Sequence, residues 1–423
     1  MSIRYDTVCI KGMISTMNQQ AKRVYLDHAA TTPIDPQVAA AFFDAHEHYH
    51  NPGGLYRESG KSQELLSQAR SSIAGNLSCH SDEIIFTRGG TESCNMAIVG
   101  VVKSYFRNQR EHSGSCAVPH IVISNVEHPA VRNTVYMLAR QGSITMDEIA
   151  VDKTGRVNID DLYRAITSST VLVCIMYAQN EIGVIQDIHG CAKTVRRWKK
   201  HHQSDMYPLV YCDAIQATNY CDMNVQGLGV DMLSISGSKI YAPKNSACLY
   251  VRRSTPIDPL YFGGNQQNGM RPGTESVPEA VALAMALEKA VNGAHTETQR
   301  LQLLQHEVYQ WLERTMPDVT VTGSIDYRLP NNIHIRIPTI DGERLVIELD
   351  ARGYAVSARS SCSSNDDVPS HVIQAVYRDD HTSLDDGYLR ITMGRDTTKK
   401  DIMNCMQECY KIITTIRTYA LDD

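Results

Sequence analysis

Apolar runs at 83–87, 120–124 and 171–176 each end in a short polar turn, and helix-forming sequence follows each one. Further apolar runs at 208–212 and 232–235 end in Asp213-Ala214-Ile215-Gln216 and Ser236-Gly237-Ser238. Strands that alternate with helices cannot pair as hairpins. They return through crossovers and build a mostly parallel sheet with helices on both faces. Ligands of such sheets gather at the carboxyl ends of the strands. Gly89-Gly90-Thr91, His128, Asn180, Asp213 with Gln216, and Ser236 with Lys239 all fall at those ends.

The rest of the chain fits around that sheet. A strand is expected at 23–27, and helices at 36–48, 59–77 and 189–201, the last strongly basic. Asn51-Pro52-Gly53-Gly54 ends the first of these helices. From Gly263 to Gly269 the sequence is a polar loop, and helical sequence follows over 278–316 with a break expected at Asn292-Gly293. Strands at 332–337 and 355–357 and helices at 343–352, 368–377 and 399–419 then read as a smaller α+β domain. The expected organisation is an N-terminal extension over 1–23, a segment over 24–38 packing on the small domain, a large domain over 39–293 and a small domain over 294–423.

Composition excludes some functions. With 423 residues the chain can bury a sizeable core, and its net charge of −6 gives no bulk attraction to nucleic acid. No apolar run approaches the roughly 20 residues of a membrane span. Residues 1–20 lack the apolar core of a signal peptide, so a cytoplasmic protein is expected, with organelle targeting as the alternative. Twelve cysteines are scattered without a CxxC pair, which suits a reducing compartment and gives no zinc pattern. Cys405 and Cys409 read as one buried helix face, and no metal site is expected. The basic stretch 193–202 reads as a solvated helix face.

The residues at the strand ends share one chemistry. A strand–glycine turn–helix unit at 83–106 presents backbone N–H groups and a positive helix end to a phosphate, with Thr91 as the expected cap. Lys239 follows a buried strand, where burial disfavours its charged form and makes it a candidate to form a Schiff base with a carbonyl cofactor. Asp213 can pair with a pyridinium nitrogen, and Gln216 and Asn180 can donate to a ring hydroxyl. The set matches the needs of pyridoxal 5'-phosphate, which acts as an electron sink. Each residue alone has a bland reading as a cap, turn or surface group; the coincidence carries the argument. Residues 359–367 form a small polar run around Cys362, expected as an exposed loop with an available thiol. Arg390 can clamp a carboxylate with two parallel hydrogen bonds.

Read together, YLDHAATTPIDPQV (25–38), FTRGGTESCN (86–95), VEHPAV (126–131), NEIGVIQDI (180–188), DAIQ (213–216), SGSKIYAPK (236–244), GMRPGTE (269–275), SSCSS (360–364) and LRITMGR (389–395) resemble a cysteine desulfurase of the NifS/IscS type, in the class V aminotransferase superfamily. The resemblance implies an α/β fold of the aspartate aminotransferase-like type, with a large, mostly parallel-sheet domain and a smaller α+β domain. It implies Lys239 as the Schiff-base lysine, Asp213 as the pyridinium partner and His128 stacked on the ring. It also implies cofactor contacts from Gly90, Thr91, Asn180, Gln216, Ser236 and Ser238. Thr274 would reach the neighbouring subunit's cofactor in a homodimer, Arg390 and Asn180 would bind substrate, and Cys362 would accept sulfur from L-cysteine as a persulfide. A sulfur-acceptor or scaffold protein is the implied partner, for iron–sulfur cluster assembly or thiolation of nucleic acid, with no direct nucleic-acid or membrane contact.

Several positions depart from the family pattern: Ser238 stands where histidine is usual, Arg88 for serine, Ala242 for glycine, and Gly53-Gly54-Leu55-Tyr56 for Ser-Ser-x-His. Competing readings are a selenocysteine lyase or another class V aminotransferase, and a catalytically impaired scaffold of the same fold.

Overall fold

The computed structural model describes residues 23–112, 117–358, 370–380, 384 and 386–419. Cys362 lies outside them. The strands are β1 (Val24–Tyr25), β2 (Ile84–Thr87), β3 (His120–Ser124), β4 (Thr145–Ile149), β5 (Thr170–Cys174), β6 (Leu209–Asp213), β7 (Met232–Ser236), β8 (Ala247–Val251), β9 (Thr320–Val321), β10 (Asn332–Ile337), β11 (Tyr354–Ala355) and β12 (Gly387–Thr392).

A seven-stranded sheet has the order β2-β8-β7-β6-β5-β3-β4. Neighbours from β7 through β4 pair in parallel, whereas β8 runs against both β2 and β7. Strands β3, β5, β6, β7 and β8 are buried on both faces, as their apolar runs require, whereas the edge strand β4 is largely exposed. Val122, Val173, Val210 and Leu233 point into one core, and their neighbours Ile121, Leu172, Leu209 and Met232 into another. The alternation follows from the two-residue period of a strand.

Helices cover the faces: α1 (Pro36–His46), α2 (Arg57–Leu77), α3 (Gly90–His112), α4 (Pro129–Arg140), α5 (Ile159–Ala165), α6 (Ile188–His201) and α7 (Val225–Leu228). Asp35 accepts hydrogen bonds from the N–H groups of Gln37 and Val38 and so caps α1, with Pro36 at the first helical position. Helix α3 starts at Gly90, one residue earlier than expected, so Thr91 sits inside its first turn and is not its cap.

Helix α8 (Val277–Thr315) is continuous through Asn292 and Gly293, where a break was expected. A glycine inside a helix costs about 1 kcal/mol. Packing at both ends offsets it: Val277, Leu283, Leu287 and Ala290 belong to the large core, and Leu301, Val308 and Leu312 to a separate one. That second core is closed by β10 and β12 in antiparallel pairing, by α9 (Gly342–Ala351), and by α11 (Lys399–Tyr419), whose Cys405 and Cys409 are fully buried. Between α9 and α11 in the chain lies the short α10 (His371–Val376).

The segment 24–35 joins these regions. Val24 and Tyr25 pair with Tyr354 and Ala355, and Thr392 donates its N–H to the carbonyl of Leu26. The chain then crosses to the Lys239 loop, where Thr32 N–H donates to Ser238 and Asp35 N–H to Tyr241.

Candidate active site

The carboxyl ends of the parallel strands open into a cavity of about 580 Å³. Register places its walls. Asp213 lies opposite Ser234, two residues before the end of β7, and both Ser236 and Thr87 pair with Ala247. The Gly89–Thr91 turn and Ser236 therefore leave the sheet side by side, with Asp213 on the neighbouring strand. Gly90, Thr91, His128, Asn180, Asp213, Gln216, Ser236, Ser238, Lys239 and Arg390 all line this one cavity. Thr274 does not; it lines a small adjoining cavity of about 40 Å³, which shares Arg88 and Asn245 with the large one.

Lys239 is half-buried and donates to the carbonyl of Ala30. Asn219 holds the lysine's own carbonyl at 2.7 Å. Asp213, at 4% exposure, accepts from the N–H of Ile215 at 3.0 Å. Burial lifts its carboxyl to about 6, against that N–H and the nearby charge of Lys239, which lower it. A carboxylate held in such a place gains most from a cationic partner.

His128 begins α4, and its Nδ1 accepts from the N–H of Ala130 at 3.1 Å. Nε2 therefore carries the ring proton. Burial, and next the charge of Lys239, pull its pKa to about 4, so the imidazole is neutral at physiological pH.

Arg390 is 2% exposed, on β12. It donates to the carbonyl of Asn180 at 3.0 Å and pairs with Asp27 at 2.7 Å. Its Nε is buried without a partner among the described residues. Gln216 donates one N–H of its side-chain amide to the carbonyl of Ala29 at 2.9 Å, which leaves the second N–H for a ring hydroxyl.

Some contributors escaped sequence reasoning. Glu127, inside VEHPAV, is fully buried and accepts from Ser124 Oγ at 2.6 Å and from Met176 N–H at 2.8 Å. It ties the end of β3 to the chain just beyond β5, which fixes the turn carrying His128. Its Oε2 has no partner among the described residues. Its carbonyl accepts from Nε2 of His371, at the start of α10.

Burial raises the Glu127 carboxyl to about 8. Between the ordinary carboxyl range and that value, the folded chain keeps a proton that the unfolded chain has released. The stabilising term is complete below the unfolded pKa and is lost as pH rises through about 8. Glu127→Gln removes it, while Asp213 titrates alike in both proteins. The thermal midpoint of the cofactor-free variant should fall less than the wild type's between about pH 5 and about pH 9. Equal falls would refute the assignment.

Nothing in this donor set conflicts with pyridoxal phosphate. A Cβ on Gly90 would sit 2.1 Å from Cδ1 of Ile215, so a larger residue there would have to displace the end of that side chain from the cavity wall. The turn and α3 offer N–H groups to a phosphate, Lys239 an amine to an aldehyde, and Asp213 a buried carboxylate to a ring cation. Among the described residues, no group of three or more His, Cys, Asp or Glu side chains could hold a metal ion.

Residues 24–404 match the family model of class-V aminotransferases. The IscS cysteine desulfurase of Dictyoglomus turgidum is 37% identical over 94% of this chain and 96% of its own length. The chain belongs to the NifS/IscS-type cysteine desulfurases. A relative from Methanosarcina thermophila, also named cysteine desulfurase IscS, is 35% identical over 97% of this chain and 96% of its own length. Among solved structures, a NifS-like protein superposes with a TM-score of 0.83 at 28% identity, covering 93% of this chain and all of that one. The structure of SspA in complex with cysteine superposes with a TM-score of 0.71 at 26% identity, over 87% of this chain and 98% of that one. The fold is that of the aminotransferase-like desulfurases.

Proposed function

We propose that this desulfurase converts L-cysteine to L-alanine, holds the released sulfur as a persulfide on Cys362, and passes it to an acceptor thiol. The observation that carries the reading is the convergence of Lys239, Asp213, His128 and Arg390 on one cavity. The cysteine bound to SspA, a structural relative, supports the substrate.

Gly90, Thr91, Ser236 and Ser238 would hold the phosphate of pyridoxal phosphate, Asp213 its ring nitrogen, and Lys239 its aldehyde. When bound, that cofactor supplies an electron sink for the substrate's α-carbon. Arg390 binds the substrate carboxylate; its own charge is already oriented by Asp27 and the Asn180 carbonyl. The amine of Lys239 moves the α-proton. Neutral His128 presents its Nε2–H, fixed by the cap that its Nδ1 makes.

The Cys362 thiolate attacks the substrate sulfur. An S–S bond forms and the Cβ–S bond breaks. The bonding pair stays with the substrate's Cβ, which gains a proton and leaves as alanine. Nine cysteines lie among the described residues, and burial raises the pKa of every one. None of the nine lines the cavity. At neutral pH they are poor nucleophiles, which supports Cys362 in that role. An acceptor thiolate then attacks the outer sulfur and restores Cys362. Iron–sulfur cluster assembly or thiolation of nucleic acid is the destination of that sulfur in this reading.

A homodimer belongs to the same reading. Phe43, Tyr49, Leu55 and Phe262 expose 67%, 82%, 105% and 85% of their surface in the single chain.

The test is stoichiometric. Purified protein given L-cysteine and a thiol reductant should yield alanine and sulfide in equal amounts. Pyruvate and ammonia in place of alanine would refute the desulfurase reading.

A further inference from the structure

Anchoring a cofactor phosphate is a problem of charge. A phosphate monoester carries about −1.5 to −2 charge at neutral pH. The hydrogen-bond donors offered to a phosphate at the glycine-turn end of the cavity, namely the α3 N-terminus, Thr91, Ser236 and Ser238, are all formally neutral, and Glu92 in the first turn of α3 is acidic. Ser236 and Ser238 are 3.2 Å apart through their hydroxyl oxygens, so one hydroxyl is spent on the other. The cations lining the cavity are Arg88, Lys239, Lys244 and Arg390. Lys239 serves the aldehyde and Arg390 the substrate carboxylate, and Lys244 is exposed and lies five residues beyond Lys239 rather than beside the glycine turn.

Arg88 is placed differently. It immediately precedes the Gly89-Gly90-Thr91 turn, and its side chain is exposed in the cavity-lining set. Its guanidinium has no hydrogen-bond or ion-pair partner among the described residues. The nearby carboxylate that could have claimed it is engaged elsewhere. Glu92 pairs with Arg271 at 2.9 Å and accepts the backbone N–H of Arg88 at 2.6 Å. A guanidinium at the mouth of a phosphate-binding turn can bond two phosphate oxygens in parallel, which neither serine nor a lone ammonium does.

We propose that Arg88 is a phosphate-binding residue of the cofactor site, supplying the positive charge that the glycine turn and the two serines lack. The assignment rests on the reading that pyridoxal phosphate sits here with its phosphate at that turn. Arg88 also lines the small cavity that contains Thr274. Arg88 therefore borders both spaces.

The test uses cofactor affinity and not turnover. Cofactor-stripped full-length wild type, R88S and R88K are each titrated with pyridoxal phosphate and with pyridoxal, which has the ring and aldehyde but no phosphate. Binding is followed by absorbance and protein fluorescence. Circular dichroism checks folding, which an exposed side chain should not disturb. Wild type should prefer the phosphorylated ligand. R88S should raise its Kd for pyridoxal phosphate about tenfold or more, the scale of a lost charged hydrogen bond, and leave its Kd for pyridoxal within about twofold. R88K should recover part of the loss.

Unchanged affinity of R88S for both ligands would overturn the assignment. Equal weakening for both would also overturn it, because the effect would then be structural. A wild type that binds both ligands equally would instead refute the underlying placement of the phosphate, and with it the role of Arg88. The two failures are therefore told apart by the wild-type titration.

Discussion

Lys239→Ala should lower alanine formation by about 10²–10⁴-fold or more, the range lost with a positioned proton-transfer group. The variant should still fold and still take up pyridoxal phosphate. Lys239 lies on a short turn held by other residues: the hydroxyls of Thr31 and Thr32 donate to the carbonyl of Ser238, Tyr241 N–H donates to Thr32 Oγ1, and Asn219 holds the carbonyl of Lys239. Removing the amine leaves those bonds intact. The Gly89–Thr91 turn and Asp213 also remain, so affinity for the cofactor should fall less than rate. The checks are amino-acid analysis of alanine and the visible spectrum of the purified variant. Activity within about tenfold of wild type would remove Lys239 from proton transfer.

The second large effect concerns sulfur. Cys362→Ala should abolish persulfide and thiol-released sulfide, while L-cysteine still perturbs the cofactor spectrum. The argument is one of competing thiols. Cys94, Cys174 and Cys212 belong to the strand-end region but are fully buried, with pKa values raised well above the ordinary thiol range. Cys94 accepts a hydrogen bond from Tyr211 at 2.9 Å and faces the core. None of these can replace a lost Cys362. Sulfide release that survives in Cys362→Ala would point to direct elimination, the chemistry of a lyase. The pair of variants separates two steps: Lys239→Ala should lose alanine and persulfide together, and Cys362→Ala should lose the sulfur while binding persists.

Much of the frame was legible because strand burial is a local pattern. The strands expected at 120–124 and 332–337 and the helix expected at 399–419 coincide with β3, β10 and α11. Their apolar periods match what each element buries. The break at Asn292-Gly293 was misread for a tertiary reason: α8 is pinned into one core before that point and into another after it, which overrides two poor helix formers. The expected cap at Thr91 lies two residues past Gly89, the position before α3, because helix ends depend on the turn before them.

The site was legible as a coincidence of strand ends, since parallel topology brings those ends together whatever lies between them. What stayed hidden was burial and commitment. Glu127 sits beside His128 in plain sequence, yet only the fold shows that it is enclosed and ties Ser124 to Met176. Nothing local reveals that Gln216 is held by the Ala29 carbonyl 187 residues away. Arg88 reads as an ordinary exposed arginine until the cavity beside it is seen.

The most direct test of the account is mass analysis of the Cys362 peptide after a single turnover. Holoenzyme is mixed with a limiting amount of L-cysteine, quenched with an alkylating agent and digested, with alanine measured in the same sample. The account predicts one additional sulfur atom on Cys362, in proportion to the alanine formed. Alanine without extra sulfur on Cys362, or sulfur carried on another cysteine, would contradict it.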